Sequence, residues 1–371
     1  MFRRNSPKQP KLYDYAASCS DESNIYELIN QRIKSHPKEA MYQDKASGFT
    51  TLHWLSCHEQ PSVDTIRILT DANPVALMTK DMSDSTPLHF AVRHSSVDVV
   101  ALLSRSCPEA LHAKDGNGLE PLQLACRLPL GSSEKVKAII LISPEIAGVV
   151  SGGFSPLEVI TQRYRYVIRR TLDTALESKI WNSELFQLTT CLDNEGSNLL
   201  EEYWEMACYL VKAMHYGNTS IYQPIWKMLH ACLSIENCPT ELIILTACVH
   251  PQQICEPCQQ NGNNAFHMFA MNSTIGVEMG NYIMNQMLRD MKYIRAVGAT
   301  NIESRVPLCI ALEAGKVWEG GVDTLARAAP YLLSVKDPVM GIYPFMIASI
   351  GEASCINTIF NLLKLCPELI H

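Results

Sequence analysis

At 371 residues the chain is too long for one ordinary compact core, so it must form several domains or an array that grows in one direction. Its 47% hydrophobic and 19% charged residues are enough to bury a continuous core and exclude a disordered or collagenous chain. A net charge of -7 gives no general attraction for phosphate backbones or anionic lipid, so nucleic acid is not the expected partner.

Residues 1–24 carry Arg3, Arg4, Lys8 and Lys11 among polar residues and prolines, with no apolar stretch behind them. A flexible tail is expected there, and a secretory signal is not. Residues 25–43, with Ile25, Leu28, Ile29 and Ile33, have the pattern of the closing helix of an incomplete first unit that caps a longer array. From there a motif recurs. Gly48-Phe-Thr-Thr-Leu-His53, Asp84-Ser-Thr-Pro-Leu-His89 and Gly118-Leu-Glu-Pro-Leu-Gln123 end 36 and 34 residues apart, and Gly153-Phe-Ser-Pro-Leu-Glu158 comes after 35 more. Further copies are Trp226-Lys-Met-Leu-His230, Gly262-Asn-Asn-Ala-Phe-His267, Ser304-Arg-Val-Pro-Leu-Cys309 and Gly341-Ile-Tyr-Pro-Phe-Met346. Glu158 and His230 are 72 apart, room for one degenerate unit, for which Asp193 to Glu201 is the candidate. Prolines at 37, 74, 108, 144, 251, 330 and 367 keep the same beat and mark where the second helix of each unit stops.

Residues 81–108 display the physics of one unit. Asp81 to Ser85 is turn-rich, Thr86 is a good N-cap and Pro87 suits the first helical position, where its missing N–H costs nothing. Leu88, Ala91 and Val92 form a narrow apolar stripe, and after a polar break Val99, Val100, Leu102 and Leu103 supply a second helix ending at Cys107-Pro108. Such a hairpin cannot bury both faces alone, so it must stack on its neighbours. Turn, then Thr86-Pro-Leu-His-Phe-Ala91, then a second helix resembles the ankyrin repeat, most closely over residues 44–160 and more weakly over 226–371. The Pro-Glu-Ala-Leu endings and Ile342-Tyr-Pro-Phe-Met-Ile-Ala348 resemble a divergent ankyrin subfamily of unicellular algae. The resemblance implies an all-α, ankyrin-type helical solenoid of roughly eight to nine helix-turn-helix units, with a helical irregularity in the middle. The expected organisation is a tail at 1–24, an N-terminal ankyrin block at 25–160, a helical insertion or degenerate repeat at 161–215, and a C-terminal ankyrin-like block at 216–371.

Candidate chemistry is sparse. No nucleotide loop, nucleophile elbow, zincin helix or kinase motif set is present. His53, His89, His230 and His267 share one motif position, where the ankyrin resemblance implies an imidazole bonded to loop backbone rather than a catalytic base. Cys255-Glu-Pro-Cys258, near Cys232, Cys238, Cys248, His230 and His250, has metal-like spacing, and a zinc-binding or thiol-redox protein built on Cys255 and Cys258 is the alternative reading. Arg163, Arg165, Arg169 and Arg170, among Tyr164 and Tyr166, read as a solvated or salt-bridging helix face.

No run approaches the roughly 18–20 apolar residues of a membrane span. The expected location is intracellular, in the cytoplasm with the nucleus left open, and the 14 cysteines read as small buried hydrophobes in a reducing compartment. The expected function is non-enzymatic, an adaptor or scaffold that needs no cofactor and binds another protein in the concave groove of loop tips and first helices. By motif position the groove is lined by Phe49, Trp54, Met82, Ser83, Arg93, Asn117, Leu119 and Arg127, with the aromatic and arginine side chains as anchors.

Overall fold

The computed structural model describes residues 11–17, 23–128, 132–178, 194–216, 227–275, 280, 283–285, 287–288, 293–350 and 354–370. Three copies of the motif start their helices in the same way. Thr86 is the N-cap of the helix Pro87–His94: its side chain meets the backbone of His89 while the His89 ring meets the backbone of Thr86, closing a capping box. Thr50 with His53, and Asn264 with His267, do the same for Thr51–Ser56 and Ala265–Met271.

Where a proline closes a unit, the second helix stops two residues before it, because the residue preceding a proline is forced out of helical geometry. Asn73, Cys107, Ser143, His250, Ala329 and Cys366 all have φ between -123° and -150° with ψ from 58° to 87°. The proline then opens a short 3-10 turn, as in Pro74–Leu77 and Pro108–His112. Among the described residues there are isolated bridges at Gln43 with Thr50 and Ser151 with Phe154, and no strand.

The chain divides into two compact units. The first comprises Met1–Arg163 and Glu202–Ile221. It holds α1 (Lys11–Ala17), α2 (Ser23–Ser35), α3 (Thr51–Ser56), α4 (Val63–Ala72), α5 (Pro87–His94), α6 (Val97–Ser106), α7 (Pro121–Arg127), α8 (Ser133–Ile142) and α9 (Pro156–Arg163). First helices stack as α1 on α3, α5, α7 and α9 in sequence, and second helices as α2, α4, α6 and α8. Val99, Val100 and Leu103 of α6 and Val136, Ile139 and Ile140 of α8 are fully buried in the stack.

The second unit comprises Tyr164–Glu201 and Tyr222–His371. It holds α10 (Arg165–Ser178), and the next helix, α11 (Asn194–Tyr216), begins in it and ends in the first unit. Beyond these come α12 (Met228–Ser234), α13 (Thr240–Val249), α14 (Ala265–Met271), α15 (Ile294–Val297), α16 (Pro307–Glu313), α17 (Val322–Ala328), α18 (Pro344–Ile347) and α19 (Ile356–Leu365). Here α12, α14, α16 and α18 stack in order, and α10 packs on α13.

Three expectations need correction. Lys11–Ala17 is not tail but helix: Leu12, Tyr13 and Ala16 are buried, and the Leu12 N–H donates to Glu39, which Arg32 also holds. The first unit is accordingly a complete hairpin of α1 and α2 rather than a lone closing helix. Asp193 to Glu201 does not supply a repeat turn, because Asn194 onward continues without a breaker into the 23-residue α11. The remaining tail residues 1–10 and 18–22, Trp181 and Asp193 in the middle, and Trp226 of the fifth motif lie outside the described residues.

Candidate interaction surface

The loops that precede the first helices are built on one polar side chain each. The Asp115 carboxylate accepts the N–H groups of Asn117 and Leu119, Asp81 those of Ser83 and Ser85, and Asn301 those of Glu303 and Arg305. Three residues after each of these anchors, and five before each motif-ending residue, the backbone turns left-handed: Gly48, Asp84, Gly118, Gly153, Gly262, Ser304 and Gly341 all have φ between 56° and 86°. Glycine reaches that region without a side-chain penalty. At Gly48 a side chain would also strike the Asp81 backbone at 2.9 Å, so the loops must sit edge to edge.

They do. Met82 N–H donates to the Ser47 carbonyl at 3.0 Å, Gly116 N–H to the Ser83 carbonyl at 2.8 Å, and the Ser151 hydroxyl to the Gly118 carbonyl at 2.6 Å. In the second unit Ile302 N–H meets the Asn261 carbonyl at 3.1 Å. Beneath this row, the motif histidines tie each helix start to the next loop. His53 Nε2–H donates to Ser85, His89 to Leu119 and His267 to Arg305, each at a backbone carbonyl 3.1–3.2 Å away. Their Nδ1 atoms accept from the backbone N–H of Thr50, Thr86 and Asn264, which fixes a neutral tautomer. Burial lowers all three pKa values, with the carbonyl bond opposing in part. Gln123 replaces the imidazole with an amide that donates to Ser151 and Phe154, while His230 donates to Gln253.

Met82, Ser83 and Asn117 lie exposed along the loop row, Met82 at 70%. Arg93 and Arg127 occupy equivalent positions near the ends of α5 and α7 and are also exposed; Arg93 reaches the next loop to pair with Asp115 at 3.1 Å. Leu119 must be removed from this set. It is 5% exposed, because the same Asx turn that displays Asn117 turns Leu119 inward, and its carbonyl is the His89 acceptor. Phe49 and Trp54 are half-buried in an aromatic cluster: Phe49 stacks on His53 and meets Trp54 and Phe90 edge-on, and Trp54 meets Tyr13. Ile302, 70% exposed, has the same loop position in the second unit as Met82 in the first, an apolar residue directly after the loop's Asx anchor. That adjacency in sequence was the signal for it, and motif reading passed over it.

Cys258 takes the loop-anchor position of Asp44 and Asp337: its N–H donates to Asn263 and its carbonyl accepts from Gly262. Cys255 is exposed just ahead of it, and Lys227 holds the intervening Glu256 and Pro257. Among the described residues no three His, Cys, Asp or Glu side chains gather closely enough to hold a metal ion. The arginine stretch is a solvated face, with Arg169, Arg170 and Tyr166 exposed and Arg165 paired to Glu241.

Hairpins of short helices, stacked in register and joined at their loops, define a helical-repeat protein. Residues 83–115 match the family model for the ankyrin repeat, which supports the reading of the chain as a divergent ankyrin-type repeat array. No curated protein matches it. Ankyrin repeats are protein-interaction modules and as a family generally non-catalytic. No helix among the described residues is long and apolar enough to cross a membrane.

Proposed function

We propose that the first unit is an adaptor or scaffold surface that holds a protein partner along the row of loop tips and first helices, without turnover or cofactor. The observation that carries this reading is Met82, a large apolar side chain left exposed on a rigid row of hydrogen-bonded loops. Ser83 and Asn117 flank it with polar groups, and Arg93 and Arg127 line the helix ends behind it. An exposed apolar anchor with arginines around it is the composition of an interaction hot spot, and loops held by backbone bonds lose little freedom on binding. Phe49 and Trp54, engaged with one another, would support the surface more than read a partner.

The test is capture from a native lysate with the full chain and with a Met82→Asp, Asn117→Ala, Arg127→Glu variant whose helical spectrum is unchanged. The three substitutions together should weaken a genuine partner by at least about tenfold. Proteins retained equally by both would refute the loop row as the binding surface.

A further inference from the structure

A second site, in the other unit, is indicated by one lysine. Helix α16 terminates at Gly315, whose φ of 76° lets the Lys316 N–H return to the Ala311 carbonyl at 2.9 Å. This termination pulls Lys316 inward. The residue is only 9% exposed, and its ammonium lies 4.6 Å from the centre of the Phe269 ring. A ring face replaces part of the lost hydration and no more. Among the described residues the ammonium has no hydrogen bond and no ion pair, and burial pushes its pKa down to about 8.

Lys316 lines a cavity of about 320 Å³, together with Leu312, Ala348 and Ile350 and with Ser354, Cys355 and Thr358 around the start of α19. Cys355 caps α19, and the Thr358 N–H and hydroxyl hold its thiol below the ordinary thiol range, a sign of positive potential at this helix start. Glu313 also borders the cavity, but its carboxylate is bound to Arg305. The volume is at the small end of ligand pockets, which run from about 300 to 1,000 Å³.

We propose that this cavity binds a small organic monoanion, a carboxylate with a short apolar tail, its carboxylate on Lys316 and its tail against Leu312, Ala348 and Ile350. One ammonium and a neighbouring Glu313 match a single negative charge; a phosphate dianion would meet too little positive charge and an acid at the border.

Calorimetric titration of the full chain with hexanoate, hexanamide and inorganic phosphate at pH 7 tests this. Hexanoate saturates below about 10 mM, and hexanamide and phosphate bind at least about tenfold more weakly. Lys316→Met, which suits the apolar surroundings, abolishes hexanoate binding, whereas Lys316→Arg retains it. Raising the pH to 9 deprotonates Lys316 and weakens hexanoate; because the Cys355 thiol also lies below its ordinary range, the effect must persist in Cys355→Ser. Equal binding of the amide, binding retained in Lys316→Met, or no saturation would overturn the proposal. Glu352 lies outside the described residues, and a gain of about tenfold in Glu352→Gln would also overturn the proposal, because the ammonium would then answer to an acid of the chain itself.

Discussion

At the scale of single residues, the fold depends on groups that local propensity does not favour. The motif histidines are an example. Because burial lowers the His89 pKa below its ordinary 6.5, the unfolded chain takes up a proton first as the pH falls. The contribution of His89 is therefore complete above about pH 6.5 and drains away as the pH drops through that value toward the folded pKa. His53 and His267 act in the same direction. Urea midpoints should fall between pH 7.5 and 5.5, and His89→Gln should reduce that fall at a cost of about 1 kcal/mol at neutral pH, since Gln123 shows that an amide can make the same carbonyl bond. Ser304 gives the opposite opportunity. Its φ of 60° is reached by glycine in most other repeats, so Ser304→Gly should stabilise by about 0.5–1 kcal/mol, read as a raised urea midpoint at unchanged slope.

A buried ion pair at the same scale fixes a loop. Arg305 joins Asp337 at 2.9 Å and also holds Glu313; Asp337 is fully buried. Burial alone would raise the Asp337 pKa, but the Met340 N–H, Arg305 and the Val339 N–H together outweigh it and leave the carboxyl below its ordinary value. Its stabilising effect is thus present above the unfolded pKa and lost as the pH falls through the folded one. Asp337→Ala removes the buried partner and leaves Arg305 with Glu313 alone, so it should cost about 3 kcal/mol by chemical denaturation, the low end for breaking a buried pair; a loss under about 1 kcal/mol would mean that water replaces the carboxylate.

Among elements, α1 is the test of how the array begins. A capping helix must present one apolar face and tolerate solvent on the other, and Leu12, Tyr13 and Ala16 supply that face while Lys11, Asp14 and Ala17 are exposed. Leu12→Ala should destabilise the chain by about 2–4 kcal/mol. A tail would show no change in the urea midpoint. The element was illegible in sequence because seven residues carry barely two turns of periodicity, and charged and proline-rich neighbours dilute the signal. The central motifs were legible because capping residue, proline and apolar stripe all agree within one unit.

For the whole molecule, sequence order and compactness part company. Residues 202–221 return to the first unit, where the Glu202 carboxylate accepts the Ser132 N–H at 2.9 Å and the fully buried Tyr203 meets the Thr161 hydroxyl at 3.2 Å. A fragment ending at 163 lacks these partners. It should melt several degrees below a fragment ending at 221, as expected if roughly 2 kcal/mol or more of packing is removed; coincident melting curves would show that the return segment adds nothing to the first unit.

What the sequence determined by itself was the repeat: its period, its helix starts and stops, the buried histidine position and the loop tips that carry Met82, Ser83 and Asn117. These are local effects, written in capping, proline and turn chemistry within a few residues. Only the tertiary structure decided that Leu119 faces inward, that Phe49 and Trp54 are occupied with Tyr13 and Phe90, that α11 is one long helix shared in part with the first unit, and that Lys316 is buried without a counter-ion among the described residues. Each of these depends on which distant segment arrives at a given face, and packing between segments 30 or more residues apart leaves no periodic trace in the chain that makes it.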